Sequence, residues 1–254
     1  MRNRPAGDVD YDALGAGYTA HRRPDPRIAA YVHRALGDAR TVVNVGAGAG
    51  SYEPSDREMT AVEPSAAMRA QRPVHVVEAI DAVAEDLPFP DNAFDAAMAS
   101  FTIHQWRDTD TGLRELRRVS RGPVVILTAD AAALTDLWLA DYAPKVVEVE
   151  ARRFPSIDHV CEVLGGHSTV TSVPIPFDCT DGFGEAFYGR PERLLDPAVR
   201  ANQSAWSFLT DAETTAAIDQ LRNDLGSGKW DRKYGELRRQ PQYAGSLRLI
   251  CARP

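Results

Sequence analysis

Residues 41–50, TVVNVGAGAG, carry the clearest chemical signal of the chain. Thr41, Val42, Val43 and Val45 favour a strand, and Gly46, Gly48 and Gly50 follow at once. A strand that runs into glycines lets main chain approach a ligand closely, because glycine has no Cβ and tolerates positive φ. Thirteen residues past Gly50 stands Glu63, at the end of a second short apolar run, Met59 to Val62. An acid so placed can accept hydrogen bonds from ribose hydroxyls. The expected occupant is a nucleoside; the plainer alternative is a glycine-rich turn of any α/β protein.

The next residues discriminate between nucleosides. A dinucleotide site needs a helix whose free N–H groups face the pyrophosphate. Here Ser51 to Glu58 separate the glycines from the next strand, with Pro54 in the middle. Such a link holds at most about two turns at ~3.6 residues each. Glu53, Asp56 and Glu58 crowd it with negative charge, and the spacing is GxGxG rather than GxGxxG. A cofactor with adenine and ribose but no phosphate fits better, and S-adenosylmethionine is the leading one. A nicotinamide oxidoreductase is disfavoured for the same reasons.

Composition narrows the class. At 254 residues, 44% of them hydrophobic, the chain can bury a full core. No stretch approaches the ~20 apolar residues of a membrane span. The N-terminus, MRNRPAGDVDYD, shows no apolar leader. Cys161, Cys179 and Cys251 are widely spaced and odd in number, so neither a metal knuckle nor a disulfide framework is expected; a reducing cytoplasm is the expected location. A net charge of −7 argues against a nucleic-acid partner. No required metal is expected.

The positioning elements follow from periodicity. Residues 8–37 read as helical with a break near Pro24-Asp25-Pro26, and Ile28, Tyr31, Val32, Ala35 and Leu36 follow helical spacing. Strands are expected at 41–45, 59–63, 74–78, 94–99 and 123–128, with helices at 65–71 and 110–119. The second of these points Leu113, Leu116 and Val119 inward, capped by Asp108 or Asp110. Strands alternating with helices imply a parallel sheet whose ligands sit beyond the C-terminal strand ends. In the second half, 131–150 reads as helical, 169–177 and 246–252 as strands, and 179–240 as largely helical.

VVNVGAGAG (42–50), AVEPSAAM (61–68), AEDLPFPDNAFDAAMASFTIHQW (84–106) and LRELRRVSRGPVVIL (113–127) occur in an order that resembles the class I S-adenosylmethionine-dependent methyltransferases, in particular the small-molecule group called methyltransferase domain 11. The resemblance covers roughly residues 8–130. It implies a Rossmann-like α/β fold with a seven-stranded, mostly parallel sheet and an antiparallel last strand. It divides the chain into a cofactor-binding core with N-terminal helices (1–130) and a C-terminal part (131–254). The last two strands lie in that second part, and the segment 179–240 is inserted there as a helical cover over a small-molecule acceptor.

Site residues are carried over position by position. Gly46, Ala47, Gly48 and Gly50 would approach the methionyl and ribose parts of the cofactor. Glu63 would bind the ribose diol, and Pro64 and Met68 would flank adenine, with core filling as the other reading of Met68. Ala84 and Glu85 resemble the segment that reads the adenine edge. Val83 replaces the family's usual acid, so the exocyclic amine must find Glu85, Asp81 or a carbonyl. Tyr18 and Arg22 resemble a Tyr-x-x-x-Arg that reaches the methionine carboxylate; Arg23 is an alternative register and a solvated basic patch the competing reading. The Ser100 carbonyl would accept from the methionyl ammonium. His104 resembles the first histidine of a His-His-x-x-Asp pattern, with Gln105 in place of the second. It is a candidate general base or else a structural anchor. Asp130, just past the fifth strand, is a second candidate base. In the cover, Phe187, Tyr188 and Arg190 suit a flat or carboxylated acceptor, with ordinary core packing as the alternative. Three rival functions remain: a non-methylating S-adenosylmethionine-binding protein, a cyclase on the same fold, and a nucleic-acid methyltransferase.

Overall fold

The computed structural model describes residues 21–254. Tyr18 and the helical reading before residue 21 lie outside the described residues. One sheet of seven strands organises the rest, in the order β3-β2-β1-β4-β5-β9-β6. The strands are β1 (Thr41–Val45), β2 (Glu58–Val62), β3 (Ala79–Ile80), β4 (Ala96–Ser100), β5 (Val124–Ala129), β6 (His167–Ser172) and β9 (Leu247–Arg253); β7 (Ile175–Pro176) and β8 (Gln242–Tyr243) form a separate two-stranded ladder. β1 to β5 run parallel, whereas β9 is antiparallel to both β5 and β6. The expected fold class is the observed one.

The central strands read as near-continuous apolar runs because both faces are covered. On one face Val42, Met98, Val125 and Leu127 pack with Ile28 and Val32 of α1 (Pro26–Ala35), with Leu36 at its C-cap, and with Trp138, Tyr188 and Trp230 of the C-terminal half. On the other face Val43, Ala97, Val124 and Ile126 pack with Leu113, Leu116 and Val119. Those three residues lie on the helix Thr109–Val119, which follows α2 (Ala66–Ala70) and is α3. Asp108 caps it by accepting from the Thr111 amide at 3.1 Å. Next in the chain, α4 (Pro144–Arg153) packs on the first face and α5 (Ile157–Leu164) on the second, beside α3.

Three expectations need correction. The strand expected at 74–78 is a turn, closed by the Val76 amide on the Pro73 carbonyl, and the edge strand starts only at Ala79. The apolar run misled because Val74 is fully exposed. The single strand expected at 169–177 is two: Pro174 separates β6 from β7, and the two join different ladders. The helix expected over 131–150 is two short 3-10 turns, Ala131–Asp136 and Trp138–Asp141, before α4 starts at Pro144. Proline at a first helical position suits a helix start.

Leu116 is fully buried between α3 and the sheet. Leu116→Ala is expected to cost about 2–5 kcal/mol, because removed methyl groups leave a cavity the strands cannot close. Urea unfolding should show a lower midpoint with an unchanged slope.

Candidate functional site

The glycine turn after β1 is tight for a steric reason. Gly46 has φ 69°, and a Cβ there would lie 2.0 Å from the hydroxyl of Thr102, in the loop after β4. The turn also uses up most of its donors. The amides of Gly46 and Ala47 both donate to the Val62 carbonyl at 2.9 Å, that of Gly50 donates to Ala47 at 2.8 Å, and that of Gly48 donates to Glu63 Oε2 at 2.8 Å. These four amides are already engaged and are not offered to a phosphate. Residues 51–57 form turns rather than a helix, so no helix N-terminus follows the glycines.

Glu63 leaves β2 directly beside this turn. Its other oxygen accepts from the Ser65 amide at 2.8 Å, and the residue is 8% exposed. Burial pushes its carboxyl above the usual range, against the pull of the Ser65 and Gly48 amides and of Arg69 and Arg72. Ser65 caps α2, which carries buried Met68; the Met68 Cε would lie 3.3 Å from a Cβ on Gly48. The turn is braced from beneath. Glu53 points inward and pairs with Arg72 at 2.8 Å, both side chains being 4% exposed. The same carboxylate accepts from Asn44 of β1 at 3.0 Å, and Arg72 donates to the Gly48 carbonyl at 3.1 Å. The structure thus brings Gly46, Ala47, Gly48, Gly50, Glu63 and Met68 into one crevice, with Pro64 following Glu63 in the chain.

A cavity opens on the other side of the β4 exit. It encloses about 860 Å³, counted out through its mouth to solvent, between the C-terminal strand ends and the C-terminal half. Its walls are mostly apolar, with Leu134, Leu137, Val146, Phe154 and Phe183 prominent. Arg22, His104, Glu185 and Gln203 also line it. Thr102 faces Gly46 while Phe101 and His104 line the cavity, so one short loop divides crevice from cavity. Phe101 holds φ 54°, a left-handed conformation that a bulky residue seldom adopts, and its ring lies under the Arg22 guanidinium at 5.4 Å.

With that geometry described, comparisons with known proteins place the chain. The family model for a methyltransferase domain matches residues 43–127. A solved structure from Anabaena variabilis, described as a proposed methyltransferase from an antibiotic biosynthesis pathway, is 31% identical with a TM-score of 0.86, covering 91% of this chain and 98% of that one. The chain belongs to the class I S-adenosylmethionine-dependent methyltransferases. Two curated relatives of this methyltransferase match more narrowly. The YafE protein of Escherichia coli is 35% identical over 60 residues, and the ubiquinone/menaquinone C-methyltransferase UbiE of Hahella chejuensis 47% over 45 residues. Those stretches are 22% and 18% of this chain, and they span only 29% and 18% of the relatives themselves.

Within the methyltransferase, several expected site residues turn out to be engaged elsewhere. Glu85 accepts from the Asp108 amide at 2.9 Å and so holds the start of α3. Asp81 pairs with Arg69 at 3.0 Å. Asp130 caps the turn Ala131–Asp136 and pairs with Arg248 at 3.2 Å, away from the cavity walls; an acid just past a strand is drawn to the free amides of the turn it starts. Phe187, Tyr188 and Arg190 are packing residues. Tyr188 is fully buried and donates to the Gln240 carbonyl at 2.7 Å, while Arg190 lies over the rings of Phe177 and Phe187 and donates to the Cys179 and Ala186 carbonyls. The cavity is walled instead by Phe183, Gly184 and Glu185, a few residues earlier.

Arg22 faces the cavity and Arg23 is exposed, but Arg22 is bound to Asp181 at 2.5 Å. Asp181 also accepts from the Tyr52 hydroxyl at 2.7 Å, tying the cover to the segment after the glycines. His104 is half-buried beside Phe154, ring centroids 4.1 Å apart, with its Nδ1 out of reach of solvent. Burial, joined by the charges of Arg153 and Arg22, holds its pKa well below the usual imidazole range. It is therefore neutral, and the surroundings that keep it neutral also penalise the imidazolium that proton abstraction would form. Ser100 ends β4 as expected, with a buried hydroxyl that lacks a partner. Ala84 is buried in the core behind β2 and β4.

Sequence reasoning missed Asp181, Glu185 and Gln203. Glu185 is buried and accepts from the Ser246 amide at 2.9 Å and from its hydroxyl; burial pushes its carboxyl up against those bonds. The one available signal was a lone acid between glycines and aromatics in Gly182 to Tyr188.

Arg72→Met leaves Glu53 buried and unpaired under the glycine turn. Breaking a buried pair from one side is expected to cost about 3–5 kcal/mol, measurable by chemical unfolding.

Proposed function

We propose that the chain transfers a methyl group from S-adenosylmethionine to a small organic acceptor held in the cavity. The observation that carries this is the pairing of the glycine turn, four of whose amides are already engaged, with the Glu63 carboxylate. A turn with so few amides to offer suits a ligand without phosphate, and Glu63 keeps lone pairs for two ribose hydroxyls beside its bonds to Gly48 and Ser65. Gly48, lacking a Cβ, leaves room next to Met68 for a flat ring. The partnerless Ser100 hydroxyl fits a polar ligand group at the β4 end. When bound, the cofactor supplies a sulfonium methyl for in-line displacement by an O, N or C nucleophile.

The side chains of this chain would act chiefly by position. In-line placement of two reactants is worth on the order of 7–11 kcal/mol. The 101–104 loop stands between crevice and cavity, so it sets the line of approach. Neutral His104 would hold an acceptor group by a hydrogen bond and is a poor final resting place for its proton. Arg22, clamped by Asp181, would face the methionyl end. The apolar walls would keep water from the reacting atoms. The antibiotic-pathway description of the Anabaena variabilis relative supports an acceptor from a biosynthetic pathway. The net charge of −7 supports a small acceptor over a nucleic acid.

Calorimetry with S-adenosylmethionine and with S-adenosylhomocysteine tests the cofactor part. Glu63→Ala is expected to weaken both by at least about tenfold, the worth of hydrogen bonds to a charged group. Absence of uptake by the unaltered protein would end the reading. The pH dependence has a definite sign. Ribose hydroxyls donate to the ionised carboxylate, and burial raises the Glu63 pKa in the free protein. Affinity is therefore highest above that raised pKa and falls as pH drops through it. Glu63→Gln should bind more weakly and flatten this profile.

A further inference from the structure

Gln203 precedes the short 3-10 turn Ser204–Phe208, and its main chain is fixed at both ends: its amide donates to Arg200 at 2.9 Å and its carbonyl accepts from Trp206 at 3.1 Å. The side chain is fixed as well. The indole Nε1 of Trp206 donates to Gln203 Oε1 at 3.3 Å. Indole can only donate, so the atom facing it must be the amide oxygen, which settles the orientation chemically. The Nε2 group, with two N–H donors, is then turned away from Trp206. Gln203 is 7% exposed and lines the cavity, and its Nε2 is buried with no partner. An amide donor buried without an acceptor costs free energy in the empty protein, and a ligand that supplies an oxygen removes that cost.

The charges along the cavity weigh against an anion. Arg22 is already bound to Asp181, and the carboxylates of Glu185 and Glu150 line the same walls. An anionic acceptor would compete with Asp181 for Arg22 and face both carboxylates in mostly apolar surroundings.

We infer that the cavity disfavours an anionic acceptor and takes one with a mainly hydrocarbon body and a hydrogen-bond-accepting oxygen, and that Gln203 reads this oxygen through its side-chain N–H. This deepens the proposed function and rests on it for the word acceptor. The binding preference itself needs neither cofactor nor turnover.

Three bicyclic probes of matched size test it by NMR titration of the cofactor-free protein: 1-tetralone, tetralin and 2-naphthoate. In the unaltered protein 1-tetralone should bind roughly two- to tenfold tighter than tetralin, the range of one neutral hydrogen bond, and tighter than 2-naphthoate. Gln203→Leu should erase the preference for tetralone over tetralin while leaving tetralin binding intact. Gln203→Met is the second variant should the first fail to fold. The inference is overturned if 2-naphthoate binds tightest, if none of the three binds, or if tetralone and tetralin bind alike in the unaltered protein. Persistence of the preference in a folded variant overturns it too. Failure of cofactor uptake in the calorimetric test would instead remove the methyl-transfer reading and leave this titration standing.

Discussion

Two loops, one leaving β1 and one leaving β4, meet with no room for a side chain between them. A Cβ on Gly46 would run into the Thr102 side chain. The contact is possible because β1 and β4 are neighbours in the sheet and end at the same level. It makes the loop after β4 a partition: Thr102 closes the glycine crevice, and Phe101 and His104 face the apolar cavity. On the proposed function, two ligands on either side of so thin a wall would be held within reach of each other, and positioning would do most of the work that a reactive side chain does elsewhere.

The charged groups on both sides of the partition are largely buried, and the electrostatics are arranged accordingly. The ion pairs Arg72–Glu53 and Arg22–Asp181 are nearly buried, and each also accepts or donates further hydrogen bonds, from Asn44 and from Tyr52. A buried charge is tolerable on those terms only. Glu63 and Glu185 follow a different course: main-chain and hydroxyl donors hold them, with no cation in direct contact, and burial raises the pKa of both. For such a group the protonated form gains in the folded state, so each contributes less stability as pH rises from the usual carboxylate pKa through the raised one. A carboxylate kept at that cost in stability beside a ligand crevice is better explained by what it binds than by what it stabilises.

How much of this was legible in the chain depended on distance along it. Local patterns sufficed for β1 and its glycines, for Glu63 at the end of β2, for Asp108 as the cap of α3 and for its three inward apolar residues. Each of those is decided within a few residues by strand preference, backbone freedom or helical periodicity. The antiparallel β9 followed from the resemblance rather than from pattern. What failed were groups whose partners lie far off. Arg22 meets Asp181 across 159 residues, and Glu185 meets Ser246 across 61. No local spacing signals such pairs. Phe187, Tyr188 and Arg190 drew notice as aromatics beside a cation, yet Tyr188 stacks on Tyr243 and Arg190 on Phe177 in the core. Some of the residues that do face the cavity, Gly184 and Gln203 among them, are small or uncharged and leave little trace in composition.

The same core explains why the cavity walls are preformed. Trp138 of the C-terminal half packs edge-on against Trp230, 5.6 Å between centroids, and both belong to one hydrophobic cluster with β1, β4 and β5 residues. Segment 179–240 shares the core of the sheet. A wall anchored in this way ties Gln203 and Glu185 to the sheet that carries the strand ends. On the proposed function, selectivity would then come from the chemistry of the wall rather than from closure around the ligand, and less binding energy would be spent on ordering the protein. Changes in the wall should therefore alter which acceptor is taken while leaving the glycine crevice, on the other side of Thr102, as it was.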